Sequence, residues 1–120
     1  MMSGEERRRR FERALHFAGD THTIADVIAK VRNHRAKFWQ EGDTVVVTEL
    51  LDYPRLRAVN YWLVAGHLSD CFALQDQIEP WALEQGCSVA LATARSGWLR
   101  VCHRFGWQLR AHQFAKELRR

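Results

Sequence analysis

The stretch from Ile78 to Thr93, read with Trp98–Trp107 after it, constrains the fold more than any other part of the chain. Ile78 to Gln85 has helical spacing and stops at Gly86. Ser88–Ala94 then reads as a strand, with Ser88, Ala90, Ala92 and Ala94 on one face and Val89, Leu91 and Thr93 on the other. Gly97–Phe105 reads as a short second helix that brings Trp98, Leu99, Val101, Cys102 and Phe105 inward, with Gly106 as its left-handed stop. Gln108–Leu118 completes the series as a final strand. Helices and strands that alternate this closely dictate a mixed sheet with helices packed on it.

The upstream half supplies the rest of that sheet. Thr44–Leu51 is β-branched and apolar, Asp52-Tyr53-Pro54-Arg55 is turn chemistry, and Leu56–Ala65 is a second apolar strand, so the three together predict a hairpin. Both strands have continuous apolar centres, which implies that both sheet faces are covered. Asp70–Gln85 is helical by the spacing of Cys71, Leu74, Ile78, Trp81 and Ala82. As a right-handed crossover it sets strand 88–94 parallel to strand 56–65. Pro80 lacks the N–H that would bond to Asp76 and predicts a kink or a new segment there. Thr23–Gln40 reads as one helix: Thr23 and Asp26 form a capping box, Ile24, Val27, Ile28, Val31 and Phe38 form the apolar stripe, and Gly42 is the stop.

Residues 1–20 form a basic leader, set apart from a single domain over 21–120, in which Glu5–Phe17 can form a helix with a thin apolar stripe of Phe11, Leu15 and Ala14. Its removal is expected to leave the domain folded. The net charge of +4 is concentrated in Arg7-Arg8-Arg9-Arg10 and Arg13, with Arg119-Arg120 at the other end. Such basic ends suit an acidic protein surface or nucleic acid, and the plain alternative is a solvated tail. Three cysteines without a CxxC pair favour reduced, partly buried thiols in a reducing setting. No apolar run reaches the roughly 18 residues of a membrane span, and no secretory signal is present. His16, His22, His34, His67, His103 and His112 show no metal-ligand spacing among themselves or with a cysteine.

Pro80-Trp81-Ala82-Leu83-Glu84-Gln85-Gly86 and Cys102-His103-Arg104-Phe105-Gly106-Trp107, in this order and with one strand between them, resemble two motifs of the GCN5-related N-acetyltransferase (GNAT) superfamily. The first is a helix ending E-W-A-x-x-x-G and the second a helix ending Y-x-x-x-G-F. The resemblance covers roughly residues 44 to 118. It implies an α/β (α+β) GNAT-like mixed sheet of about four strands with two or three packed helices. The N-terminal half is reduced to the single helix at 23–40.

The same resemblance implies a coenzyme A pyrophosphate site on a turn of the form R/Q-x-x-G-x-G/A. That turn falls on Gly66-His67-Leu68-Ser69-Asp70-Cys71, where Ser69 and Cys71 stand in place of the two glycines. Glycines there let backbone N–H groups close on phosphate. Side chains obstruct that approach, and Asp70 adds a negative charge whose simple role, shared with Ser69, is helix capping. The family's general-acid tyrosine aligns with Cys102, which reads as a small buried hydrophobe. A general base would be a Glu or a water chain on the central strands; Glu49 is the one carboxylate well inside a strand, and its plain reading is an edge or solvent-facing residue.

The sequence therefore assigns no catalytic, cofactor or metal residue. It predicts a non-catalytic GNAT-fold binding or structural module, loosely similar to small phage morphogenesis and virion-associated GNAT-like proteins, in the cytoplasm or a virion. Such a module would dock on protein partners in a larger assembly, with nucleic-acid contact through the arm and no membrane. Arg7, Arg8, Arg9, Arg10, Trp39 and Trp107 are the candidate partner-binding residues. The alternative is a small N-acetyltransferase that uses acetyl-CoA through non-standard contacts.

Overall fold

The computed structural model describes residues 3–94 and 96–119. Arg120 lies outside the described residues, as does the side chain of Leu99. The elements are α1 (Gly4–Phe17), α2 (Ile24–Arg32), β1 (Lys37–Glu41), β2 (Thr44–Asp52), β3 (Arg57–Ala65), α3 (Leu68–Glu84), β4 (Val89–Ala92) and α4 (Leu99–Cys102). Short 3₁₀ turns at Ser96–Trp98 and His103–Phe105 flank α4. The sheet order is β1-β2-β3-β4. β1, β2 and β3 pair antiparallel, and β4 runs parallel to β3. This is a mixed α+β sheet, with α3 making the predicted crossover.

The hairpin β2–β3 forms as its turn residues dictate, with the Tyr53 N–H donating to the Leu56 carbonyl at 2.9 Å. Apolar residues cover both faces. Val46, Val59, Tyr61, Leu74 and Ile78 pack between the sheet and α3, while Leu15, Val27, Val47 and Leu63 pack beneath α1 and α2. Each fully buried aliphatic side chain of this kind contributes about 1.5–3 kcal/mol relative to exposure. Helix α3 runs unbroken through Pro80, so the expected kink or new segment is not a break in the helix.

The N-terminal region differs from the sequence reading. Thr23 and Asp26 form the predicted capping box, but α2 ends at Arg32 with Asn33 as its C-cap. His34 takes a left-handed φ of 58°, and the chain then turns into β1. Lys37–Glu41 is therefore a strand paired with β2 through a two-residue turn at Gly42-Asp43, not the last turns of a helix. Phe38, placed above on the apolar stripe, is exposed on that strand. The stretch set apart as a basic leader is α1, and it contributes Leu15 to the buried cluster beside Val27, Val47 and Leu63. The helix expected over Glu5–Phe17 is thus present as α1, and two helices precede the sheet.

The C-terminal end differs too. Gly106 has φ 90°, the left-handed stop that was predicted. Gln108–Leu118 forms no strand, and residues 108–119 are exposed throughout. The fourth strand of the sheet is β1, not this segment.

Candidate binding cleft

A seam in the sheet creates the cleft. β3 and β4 pair over four residues, from Ala58↔Val89 to Tyr61↔Ala92. On its other side β3 carries a bulge at the same level: Thr48 faces Tyr61 and Val47 faces Leu63, so Trp62 is the extra residue. A bulge bends its strand and increases the local twist. Beyond Tyr61 and Ala92, β3 continues beside β2 alone, and a gap opens between β3 and the chain that leaves β4.

Cavities lie on both sides of that gap, and Tyr61, Val64, Ala92, Ala94 and Trp98 line both of them. The smaller, about 180 Å³, reaches α1 at Ala14 and Phe17 and its C-cap Ala18. The larger, about 450 Å³, lies against α3 and α4 and is lined by Cys71, Phe72, Gln75, Cys102 and Trp107 among others. Its walls are mostly apolar and aromatic, which suits an elongated ligand with few hydrogen-bonding groups.

Aromatic contacts fix the wall of the larger cavity. Phe72 stacks on Phe105 with centroids 3.7 Å apart, and Trp107 meets Tyr61 edge-on at 5.2 Å. The Trp107 indole N–H donates to Gln75 Oε1 at 2.8 Å, and Gln75 Nε2 donates to the Phe105 carbonyl at 3.1 Å. Burial raises the Cys102 thiol pKa. Cys71 is pushed up to about 12, first by burial and then by the Asp70 charge. Burial and then Glu79 likewise raise Tyr61, whose hydroxyl is enclosed without a hydrogen-bond partner among the described residues. These three groups keep their protons at neutral pH.

Turn 66–71 serves the chain's own packing. Gly66 has φ 137°, and a Cβ on it would lie 2.3 Å from Thr44 Oγ1, so its glycine allows the turn to close on β2. Thr44 Oγ1 accepts from the His67 backbone N–H at 2.9 Å and donates to Asp70 Oδ2 at 2.8 Å. The N-cap of α3 is His67, which makes no side-chain cap. Asp70 sits in the first turn of α3, where its carboxylate complements the positive end of the helix dipole. The Asp70 carboxylate is thus engaged within the chain by Thr44.

Glu49 is not the edge or solvent-facing residue of the sequence reading. Its carboxylate is half-buried and held at both oxygens, accepting from Lys30 Nζ at 3.0 Å and from Asn60 Nδ2 at 3.0 Å. The Lys30 ammonium lies 4.6 Å from the Trp62 ring centroid. Taking a substrate proton on Glu49 would break this ion pair. No spacing rule in the sequence joins Lys30 to Glu49, because they meet only when α2 packs on the sheet. Among the described residues no three of His, Cys, Asp and Glu gather closely enough to hold a metal ion. No helix among them is long and apolar enough to cross a membrane.

The candidate partner-binding residues lie on α1, on β1 and in the wall of the larger cavity. Arg7 pairs with Asp43 at 3.5 Å, Arg8 with Glu12 at 2.9 Å and Arg10 with Glu6 at 3.4 Å, while Arg9 is exposed. Trp39 is half-buried, donates to Thr48 Oγ1 at 3.0 Å and meets Trp81 edge-on at 5.4 Å. Trp107 is the cleft wall described above. Both tryptophans are anchored inward.

The fold is similar to that of two solved structures. A crystal structure of an acetyltransferase from Trypanosoma brucei matches with a TM-score of 0.62 at 13% identity, covering 98% of this chain and 97% of that one. A mutant of the BH1408 protein from Bacillus halodurans matches with a TM-score of 0.65 at 12% identity, covering 96% and 93%. The chain has an acetyltransferase-like fold. At these identities the likeness is one of fold alone. No family model and no curated protein matches the sequence.

Proposed function

We propose that this chain is a binding or structural module on a GNAT-like fold, docking on another protein within a larger assembly and transferring no acyl group. The observation that carries this reading is the Thr44–Asp70 hydrogen bond of 2.8 Å, which fixes a carboxylate at the start of α3. The reading is supported further by the two-point hold on Glu49, whose carboxylate is committed to Lys30 and Asn60. The sequence's resemblance to small phage virion-associated proteins fits a role as an assembly component. Arg9 and its neighbours on α1 are the natural contact for an acidic partner or packaged nucleic acid, and such a contact weakens steeply with salt.

A second reading, a small N-acetyltransferase, is favoured by the seam between β3 and β4 with a cavity on either side. Thermal unfolding with and without acetyl-CoA separates the two. A ligand at about 100 times its Kd contributes about 2.7 kcal/mol of stability, which is a readily measured rise in Tm. The binding-module reading expects no rise at millimolar acetyl-CoA. A saturable rise would favour the transferase.

A further inference from the structure

β1 is the first strand of the sheet, and its outer edge has no strand partner among the described residues. The hairpin turn fixes which groups that edge presents. Gly42, with φ 56°, takes the first position of the two-residue turn that closes on the pair Glu41↔Thr44. Hydrogen-bonded and open pairs alternate along an antiparallel ladder. Lys37, Trp39 and Glu41 therefore bond to β2, while the main-chain N–H and C=O of Phe38 and Gln40 point away from the sheet. No turn, loop or cap hydrogen bond among the described residues uses these outward groups. An open row of this kind is a template for another strand.

The side chains around the edge say what it would pair with. Lys37 does not guard it, because its ammonium lies over the Trp39 and Trp81 rings on the α3 face, 4.9 and 5.5 Å from their centroids. Phe38 points to the opposite face, opposite Val47, and is 48% exposed. The charge is uneven along the strand. Residues 27–40 hold Lys30, Arg32, Arg35 and Lys37 and no aspartate or glutamate. Lys30 is taken by Glu49, but Arg32, Arg35 and Lys37 form no ion pair among the described residues. On the Phe38 face Asp26 is engaged by the Thr23 N–H, and the acids of α3 lie across the sheet. At the turn end stand Glu41 and Asp43, the latter paired with Arg7. The edge thus runs from a basic start to an acidic finish.

We propose that the β1 edge takes an extended acidic peptide segment of the partner protein as a further strand of the sheet, which rests on the docking reading above and gives that partner its chemistry. Main-chain hydrogen bonds to Phe38 and Gln40 supply the adhesion, and alternate side chains supply the selectivity. An apolar residue of the peptide covers Phe38. Its carboxylates lie at the end beside Arg35 and Lys37, where arginine pairs with them at two points. Glu41 repels acids at the other end, so the acidic residues of the peptide gather at one end only.

Panning a library of displayed random peptides on the full chain tests it. The enriched peptides should alternate apolar and polar residues and carry Asp or Glu at one end. A synthetic copy of one should bind in fluorescence anisotropy and shift the Phe38 and Gln40 amide signals in NMR. Arg35→Glu with Lys37→Glu should weaken that binding about tenfold or more, and so should Gln40→Pro, which removes an outward N–H and no bond to β2. N-methylating alternate peptide bonds of the synthetic peptide makes the same test with the chain unaltered, so a variant that folds poorly does not decide it. No enrichment overturns the proposal. Enriched peptides whose binding ignores the N-methyl groups and the β1 changes also overturn it, while leaving the chain a docking module. A saturable rise in Tm with acetyl-CoA would instead count against the docking reading, whatever happens at β1.

Discussion

Thr44 on β2 and Asp70 on α3, 26 residues apart, are joined by a 2.8 Å hydrogen bond from Oγ1 to Oδ2. The same hydroxyl oxygen accepts the His67 N–H, so one fully buried threonine ties the sheet to the start of the crossover helix. The turn at residues 66–71 is thereby held together by a carboxylate and its donor.

Removing that tie should loosen the turn. Thr44→Val keeps the shape but leaves the His67 N–H and the Asp70 carboxylate without this partner. A cost of about 1–3 kcal/mol is expected from such a loss. Denaturant unfolding measures it, and an unchanged midpoint would mean the hydroxyl contributes nothing net.

Two glycines separate steric demand from backbone demand. Gly66→Ala places a Cβ 2.3 Å from Thr44 Oγ1 at φ 137° and should destabilise strongly. Gly106→Ala at φ 90° has nothing within 4 Å of the new Cβ and should cost only the backbone strain, about 1–3 kcal/mol. Equal losses in parallel chemical denaturation would contradict the close approach at Gly66.

Helix α1 should be part of the cooperative fold. Leu15 is 6% exposed and packs with Val27, Val47 and Leu63. Leu15→Ala is expected to cost about 2–5 kcal/mol, and deletion of residues 1–20 should lower Tm rather than leave it unchanged. A truncated chain that melts like the full one would show that α1 rests on the sheet without contributing to it.

Alkaline pH should weaken the fold through Cys71. Its folded pKa is near 12 against an ordinary value of 9.0, so above pH 9 the unfolded chain releases a proton that the folded chain keeps. Stability is complete below about pH 9 and falls as pH rises toward 12, with Tyr61 shifted in the same direction. Cys71→Ala should flatten the slope of Tm against pH in that window. An unchanged slope would place the alkaline loss elsewhere.

Much of the sheet and its crossover was legible because local signals agree with the fold there. The Asp52–Arg55 turn, the apolar runs of β2 and β3, the periodicity of α3 and the stop at Gly86 all point one way. The misreading of Lys37–Glu41 came from Phe38, which falls on a helical stripe, and from Gly42, which stops a helix and turns a hairpin equally well. Pairing with β2 decides the matter, and a 3.6-residue period says nothing about pairing. Residues 108–118 have the residues of a strand but no strand partner among the described residues. The cleft was the least legible part. Its bulge at Trp62, the Thr44–Asp70 bond and the Lys30–Glu49 pair each depend on which distant element lies alongside, and no local spacing encodes that.

The central claim is that the start of α3 and the seam beside it hold no acyl-CoA. Backbone amide NMR of the labelled chain, titrated with acetyl-CoA to millimolar concentration, tests it at the residues concerned. The account predicts no saturable shift at Gly66–Cys71 or at Ala92–Ala94. A dose-dependent, saturating shift confined to those two stretches would contradict it and show that the seam binds the coenzyme despite Asp70.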